Sequence, residues 1–169
     1  ADAAEDVVET LREEGIDAEV ALDLRAAVER ADLISCATTS REPLVRGAWL
    51  RAGTHLDLVG GFRRDMREAD DEAVLRSRVV VDTYAGALSE AGDLTQPIAG
   101  GVITREHVVA ELAQLLRGEV QGRTHADEIT LFKSLGLAIE DVAAAHVVHR
   151  NAERTGSGVR IDLGGLRHG

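Results

Sequence analysis

The chain has 169 residues, of which 44% are hydrophobic and 29% are charged, a composition typical of a globular domain with its own core. Its formal net charge of −11 argues against binding to nucleic acid or to an anionic membrane surface, because both depend on clustered cationic side chains. The single cysteine, Cys36, excludes an intrachain disulfide and is compatible with the cytoplasmic location that we expect.

In chain order, the first 60 residues predict short helices alternating with short strands. Apolar residues at helical spacing indicate the helices, and Gly15 is placed to end the first of them. Short apolar or alternating runs indicate the strands. The predicted helices are residues 5–14, 24–31 and 47–50, and the predicted strands are residues 16–22, 33–38 and 55–59.

The rest of the chain predicts one clear strand and several helices. The strand is residues 78–82, a brief β-branched run with polar residues on both sides. The predicted helices are residues 70–75, 84–91, 104–117 and 126–154. We predict loops over residues 92–101, which contain Pro97, and over residues 118–124. Glycines at 156 and 158 should end the longest helix, and a last short strand is predicted over residues 159–163.

Strand and helix therefore alternate four times with short links. This is the pattern of βαβ units, and it predicts an α/β fold: a Rossmann-like parallel sheet with flanking helices. No G-x-G-x-x-G turn is present, and the chain begins on a predicted helix. Either this is not a nucleotide-binding fold, or it is an incomplete one whose first strands lie upstream of Ala1.

Two predicted strands end in turns of small residues, at Thr38–Thr39 and at Gly60–Gly61. In a doubly wound sheet, ligands bind beyond the carboxyl ends of the strands, and small residues let a flat ring or a ribose approach the backbone. The alternative is structural, because a turn after a strand favours glycine and serine in any case.

Other candidate sites are weaker. His146 and His149 lie three apart on the long predicted helix, but no third ligand joins them, so we expect a solvated helix face and no metal site. Cys36 lacks an activating base and should be buried in its strand. Asp127 and Glu128 are interpreted as helix caps, with a catalytic pair as the alternative. The charge run over residues 63–68 predicts a solvated loop, in which an arginine could reach a phosphate or a carboxylate.

Four stretches, in order, resemble the ornithine cyclodeaminase/mu-crystallin family. The last of them, DEITLFKSLG, is the most specific. The four stretches are residues 31–40, 53–61, 79–82 and 127–136.

The resemblance implies a two-domain subunit. A Rossmann domain binds NAD(H) or NADP(H), and a second domain binds a small imino or amino acid and forms a homodimer. Residues 1–155 would then be the dinucleotide-binding domain, truncated at its N-terminus. Residues 156–169 would be a tail returning toward the missing substrate domain. Two parts of the family's site would lie upstream of Ala1: the glycine-rich turn and the residues that bind the substrate carboxylate. We therefore expect the chain alone to be inactive.

The resemblance also implies roles for single residues. Its cofactor contacts correspond here to Thr38, Thr39, Val59, Gly60, Gly61 and Ser134. Leu135 corresponds to a substrate neighbour. In cyclodeaminases a proton-transferring aspartate follows the two glycines, but here Phe62 stands in that position, and Met66 stands where those enzymes have a lysine.

The loss of that acid favours one reaction over another. Deamination and ring closure require several proton transfers, whereas a ketimine that solvent has protonated needs only a hydride. We therefore hypothesise a Δ1-pyrroline-2-carboxylate or related ketimine reductase, in proline metabolism. Two alternatives stay open: an ornithine cyclodeaminase or alanine dehydrogenase-like enzyme, and a non-catalytic binding protein of the mu-crystallin type.

Overall fold

A computed structural model describes residues 3–161 and contains a five-stranded sheet of order β1-β2-β5-β3-β4. The strands are β1 (Leu33–Cys36), β2 (His55–Leu58), β3 (Ser77–Val81), β4 (Val108–Glu111) and β5 (Ile129–Lys133). Every neighbouring pair is parallel. All five carboxyl ends therefore meet at one edge of the sheet, the edge at which α/β folds bind their ligands.

Short helices connect the strands, and this alternation confirms the predicted Rossmann-like α/β fold. The α-helices are α1 (Ala3–Glu13), α2 (Leu24–Arg30), α3 (Asp71–Arg76), α4 (Tyr84–Glu90), α5 (Gly92–Ala99), α6 (Leu112–Leu116) and α7 (Ala138–Thr155). Two 3-10 turns cover Gly47–Trp49 and Arg105–His107. Within residues 3–161, no helix combines the length and the apolar character that crossing a membrane requires.

The core lies between one face of the sheet and helices α2 to α5. Alternate residues of the central strands are fully buried there, among them Leu56, Leu58 and Leu131, each at most 1% exposed. Val74 of α3 and Leu94 of α5 pack in the same cluster. Because side chains alternate across a strand, only every second residue of each strand contributes to this face.

The chain divides into two compact units, Ala1–Leu135 and Gly136–Gly169. The whole sheet lies in the first unit. The second contains α7, which has no buried residue and ends at Gly156 in a left-handed conformation (φ 67°), as predicted. The predicted boundary of the dinucleotide-binding domain, at residue 155, remains a prediction.

The predicted strand over residues 16–22 is wrong. None of these residues is in a strand, and Leu22 is 98% exposed. A strand requires a neighbour with which to exchange hydrogen bonds. No strand of residues 3–161 pairs with this segment, and β1 forms the edge of the sheet on that side.

The predicted loop over residues 92–101 is also wrong, since most of it forms helix α5. Its glycine and proline suggest a turn, but Asp93, Leu94 and Pro97 are buried at helical spacing. Packing thus outweighs intrinsic propensity here. Pro97 cannot donate to the carbonyl of Asp93, and the helix ends soon after it, where Gly100 N donates to Gln96 O at 2.8 Å.

Two predicted helices each contain a strand. The helix predicted over residues 104–117 is β4 followed by the short α6. The helix predicted over residues 126–154 is β5, a loop, and then α7, because Ile129, Leu131 and Lys133 are buried alternately between two neighbouring strands. Gly136, with φ of +80°, separates β5 from the true helix. Of the predicted strand over residues 159–163, residues 159–161 are not in a strand and the rest lie outside the described residues.

Candidate functional site

The carboxyl edge of the sheet brings the predicted site residues together. Cys36, Leu58 and Lys133 end three neighbouring strands at the same register. The Thr38–Thr39 turn, the Gly60–Gly61 turn and the pair Ser134–Leu135 follow these strand ends directly. The sequence pattern predicts the last pair inside a helix, whereas it lies in the loop after β5.

The first turn is held by a carboxylate from a distant part of the chain. The Thr38 amide donates to Glu68 Oε1 at 2.6 Å, and the Thr38 hydroxyl oxygen accepts from the Ser40 amide at 3.2 Å. Thr38 is half-buried and Thr39 is exposed. The turn therefore has a fixed backbone and presents the Thr39 side chain to solvent.

At the second turn, two buried glycines lie between two exposed apolar side chains. Val59 is 44% and Phe62 is 47% exposed. A Cβ atom on Gly60 would overlap with Thr38 O and the Glu68 carboxylate, and one on Gly61 would lie 2.5 Å from Asp93 Oδ2. Gly61 also has φ of +60°. The protein's own packing therefore requires both glycines, and the approach of a ligand to them remains a prediction.

The third segment is anchored by Asp82, which follows β3 and is 4% exposed. Its Oδ2 accepts from the Leu135 amide at 2.6 Å, and its Oδ1 accepts from the Thr83 amide at 2.6 Å. Ser134 N donates to Leu58 O at 3.1 Å. Asp82 thus fixes the backbone of the predicted substrate neighbour Leu135.

Beneath these turns lie three fully buried charged residues, Glu68, Asp93 and Lys133, each 0% exposed. We call them the buried charge cluster. The sequence pattern does not indicate them, because it predicts a solvated loop at Glu68, a loop at Asp93 and a helix at Lys133. Reading residues 129–133 as a strand would have revealed Lys133, since it shares the buried face with Ile129 and Leu131.

No carboxylate on the described chain takes the exposed position that Phe62 occupies after the glycines. Asp65, the next acid, forms ion pairs with Arg63 at 3.2 Å and Arg41 at 3.5 Å. Asp93 and Glu68 are close to the glycines but fully buried. The side chain presented to solvent directly after Gly61 is therefore a hydrocarbon.

Cys36 lies at the end of β1 and is 8% exposed, as predicted. Burial raises the pKa of its thiol to about 11, and the nearby Glu68 and Asp93 carboxylates add to this shift. The thiol is therefore protonated at neutral pH and is a poor nucleophile.

Asp127 and Glu128 do not cap a helix, because they precede β5. Glu128 instead accepts from the Thr124 amide at 2.6 Å, and this hydrogen bond lowers the pKa of its carboxyl. His146 and His149 lie exposed on α7. Residues 3–161 contain no group of three or more histidine, cysteine or acidic side chains arranged to hold a metal ion.

The side chains at this edge fit a nicotinamide cofactor in their chemistry. Thr38 and Thr39 after β1, and Ser134 after β5, provide hydroxyl groups on the two sides of β2, which suit the hydroxyls of a ribose. Val59 and Phe62 provide exposed apolar surface on the two sides of the Gly60–Gly61 turn. Because the glycines have no side chains, this surface suits a flat ring.

Comparisons with known proteins agree on one family. A family model described as "Ornithine cyclodeaminase/mu-crystallin family" matches residues 1–156. A Delta(1)-pyrroline-2-carboxylate reductase from Paracoccus denitrificans (strain Pd 1222) is 45% identical over 149 residues, which are 87% of this chain and 46% of that protein.

Two solved structures are similar to the chain. Thermococcus litoralis Delta(1)-pyrroline-2-carboxylate reductase, in complex with NADH and L-proline, has a TM-score of 0.85 at 44% identity, over 94% of this chain and 48% of that chain. An archaeal alanine dehydrogenase dimer with bound NAD has a TM-score of 0.84 at 35% identity, over 95% of this chain and 49% of that chain. The chain thus spans about half the length of the proteins it matches.

Proposed function

The chain belongs to the ornithine cyclodeaminase/mu-crystallin family, and from this premise we propose that it forms the cofactor-binding part of an enzyme that reduces a cyclic imino acid with NADH or NADPH. Δ1-Pyrroline-2-carboxylate is the substrate of first choice, because it is named in the similar proteins from two organisms. Thr38, Thr39, Val59, Gly60, Gly61 and Ser134 are the proposed cofactor contacts. Leu135 is proposed to lie beside the substrate.

The observation that carries this proposal is the exposed Phe62 directly after the two buried glycines. A nicotinamide held by these residues would supply a hydride to the imine carbon, and the imine nitrogen would take its proton from solvent. A hydrocarbon at this position suits that reaction, because Phe62 would exclude water from a bound ring and would not be required to move a proton. Oxidative deamination and ring closure would instead require an ionisable group there.

The test compares two substrates with the protein expressed at its full natural length. We expect NADH or NADPH oxidation with Δ1-pyrroline-2-carboxylate, with proline as the product detected by chromatography. We expect no ammonia from ornithine in the presence of NAD⁺ or NADP⁺. Ammonia release from ornithine at a comparable rate would contradict the reductase assignment. Cofactor binding without turnover of any imine would favour the non-catalytic alternative.

An alanine dehydrogenase-like activity is the second candidate, favoured by the similarity to the archaeal alanine dehydrogenase. The two candidate activities differ in the source of the nitrogen atom in the product. An alanine dehydrogenase combines pyruvate with free ammonia, whereas the proposed reductase uses an imine that already contains its nitrogen. Reduction of pyruvate that depends on added ammonium, without reduction of the cyclic imine, would select this candidate.

A further inference from the structure

The buried charge cluster connects the two turns to which we assign the cofactor. Glu68 Oε1 accepts from the Thr38 amide at 2.6 Å, and Lys133 Nζ donates to the carbonyl of Gly60. Between them, Asp93 Oδ2 lies 3.2 Å from Lys133 Nζ, and Asp93 Oδ1 accepts from the Glu68 amide at 2.7 Å. A continuous chain of polar contacts thus runs from one turn to the other through the core.

Stability alone is a poor explanation for this cluster. Three charges without exposure to water carry a large desolvation cost, and apolar residues of similar volume often stabilise a core as well or better. The cluster is also incompletely paired. Among the described residues, neither Glu68 Oε2 nor Asp93 Oδ2 accepts a hydrogen bond. Asp93 Oδ2 contacts Lys133 only as an ion pair.

The contacts at the two ends of the cluster favour a positional role. Both end on backbone atoms of the strand-end turns, and not on other side chains. Ionised partners make the shorter and stronger hydrogen bonds, so they restrict the backbone atoms that they contact. The missing side chain of Gly60 lets the Glu68 carboxylate lie directly against the turn.

We propose that Glu68, Asp93 and Lys133 are positioning residues, which hold the Thr38 and Gly60 turns in one fixed relation so that the nicotinamide ring lies at the correct angle and distance for transfer to the imine. This inference rests on the proposed function. Displacing reacting groups by about 1 Å costs on the order of 100-fold in rate. The cluster should therefore affect the turnover number more than the affinity for the cofactor.

The test uses a paired variant, Lys133→Met with Asp93→Asn, in the protein at its full natural length. Lys133→Met alone would leave two buried carboxylates without a cation and could fail to fold. The pair removes one charge of each sign. The asparagine side chain keeps an oxygen for the Glu68 and Ala69 amides, which donate to Asp93 Oδ1 at 2.7 and 3.0 Å.

The matched control is Arg25→Met with Glu29→Gln, which removes an exposed ion pair of α2.

We expect the paired variant to bind NADH, titrated by its fluorescence, with a dissociation constant within about threefold of the wild type, while kcat per titrated site falls about tenfold or more. With NADH deuterated at the transferred position, the isotope effect on kcat should rise toward its intrinsic value, because transfer becomes rate-limiting. The control should keep the wild-type kcat and isotope effect.

The possible failures are distinguishable. If the wild-type protein binds neither NADH nor NADPH and does not reduce the imine with either, the proposed function is wrong and the inference falls with it. If the wild type is active and the folded paired variant keeps its kcat per site, the cluster is purely structural and the inference alone is overturned.

Glu68→Gln provides an independent check. The glutamine side chain keeps an oxygen for the Thr38 amide but loses the charge, so a smaller decrease in kcat per site than in the paired variant is expected. A folded Glu68→Gln variant with the wild-type kcat per site would remove Glu68 from the set of positioning residues.

Discussion

Gly60 shows how a residue without a side chain can be among the most constrained at the site. Its position is determined by what lies beneath it: the Glu68 carboxylate, the Thr38 carbonyl and the Lys133 ammonium all contact the space around it. The sequence pattern indicates the importance of this glycine and leaves two causes open, the approach of a ligand and the requirement of the turn itself. The structure adds a cause within the protein, and it yields a test that needs no ligand.

Gly60→Ala should lower the free energy of unfolding by about 1–3 kcal/mol, because the added methyl group overpacks a rigid region. Urea denaturation measures this change. Gly122→Ala is the matched control, since a Cβ there would lie 3.8 Å from Leu115 Cδ2, an ordinary contact. The control should change the free energy by about 0.5 kcal/mol or less. Equal effects in the two variants would contradict the overlap argument.

At the scale of elements, short helices depend on their caps more than on their length. Helix α3 has six residues, and Asp70 precedes it. Asp70 Oδ1 accepts from the Ala73 amide at 2.8 Å, which caps the helix, and from the Gly47 amide at 2.8 Å, which attaches the 3-10 turn to the same point. One carboxylate oxygen thus fixes two elements on the core face of the sheet.

Asp70→Ala should therefore destabilise the chain by about 2 kcal/mol, roughly 1 for the cap and 1 for the second hydrogen bond. Asp23→Ala removes a cap with one hydrogen bond, from the Ala26 amide at 3.1 Å, and should cost about 1 kcal/mol. Thermal unfolding of both variants gives the comparison. If Asp23→Ala lowers the free energy of unfolding as much as Asp70→Ala, the hydrogen bond from the Gly47 amide contributes nothing to stability.

The elements also show which features the sequence could predict. Strands β1, β2 and β3 are brief apolar or alternating runs between polar residues, so their pattern indicates them correctly. Strand β5 contains a buried lysine and is followed by Leu135 and Ala138, which extend an apparent helical spacing from Leu131. Gly92 and Pro97 suggest a loop over residues 92–101, where the structure has a helix with Asp93 buried. Pattern rules assume polar residues outside the core, and they fail where the core contains charges.

The candidate site, like the fold, could be predicted only in part from the sequence. The turns after β1 and β2 follow from the geometry of parallel sheets, and Ser134 and Leu135 came from the family resemblance. The supporting carboxylates could not be predicted, because Glu68, Asp82 and Asp93 reach backbone amides far away in sequence. The Asp82 bond to Leu135, for example, spans 53 positions. Contacts of this kind depend on the packed fold and leave no local signature.

At the scale of the whole molecule, the hydrophobic core belongs to one of the two units. Every residue of the buried apolar cluster lies between Val28 and Leu131, within the unit Ala1–Leu135. Helix α7 of the other unit has no buried residue. The first unit therefore contains a hydrophobic core of its own.

A chain that ends at Leu135 should still unfold cooperatively, because the hydrophobic core cluster lies wholly within residues 28–131. Calorimetry of both chains measures this, and a cooperative transition by circular dichroism is the control for folding. A truncated chain without a thermal transition would contradict this prediction.

The position of β5 also has a consequence for how the protein is made. Among the strands of residues 3–161 it comes last in the chain, yet it lies between β2 and β3 and joins the pairs β1–β2 and β3–β4. A nascent chain can form each pair early, but the two halves can meet only after residue 133 has left the ribosome. Lys133 then reaches Gly60 across 73 positions. The step that joins the two pairs of strands is thus the same step that fixes the two turns proposed to contact the cofactor, so a nascent chain that lacks β5 holds no preformed candidate site.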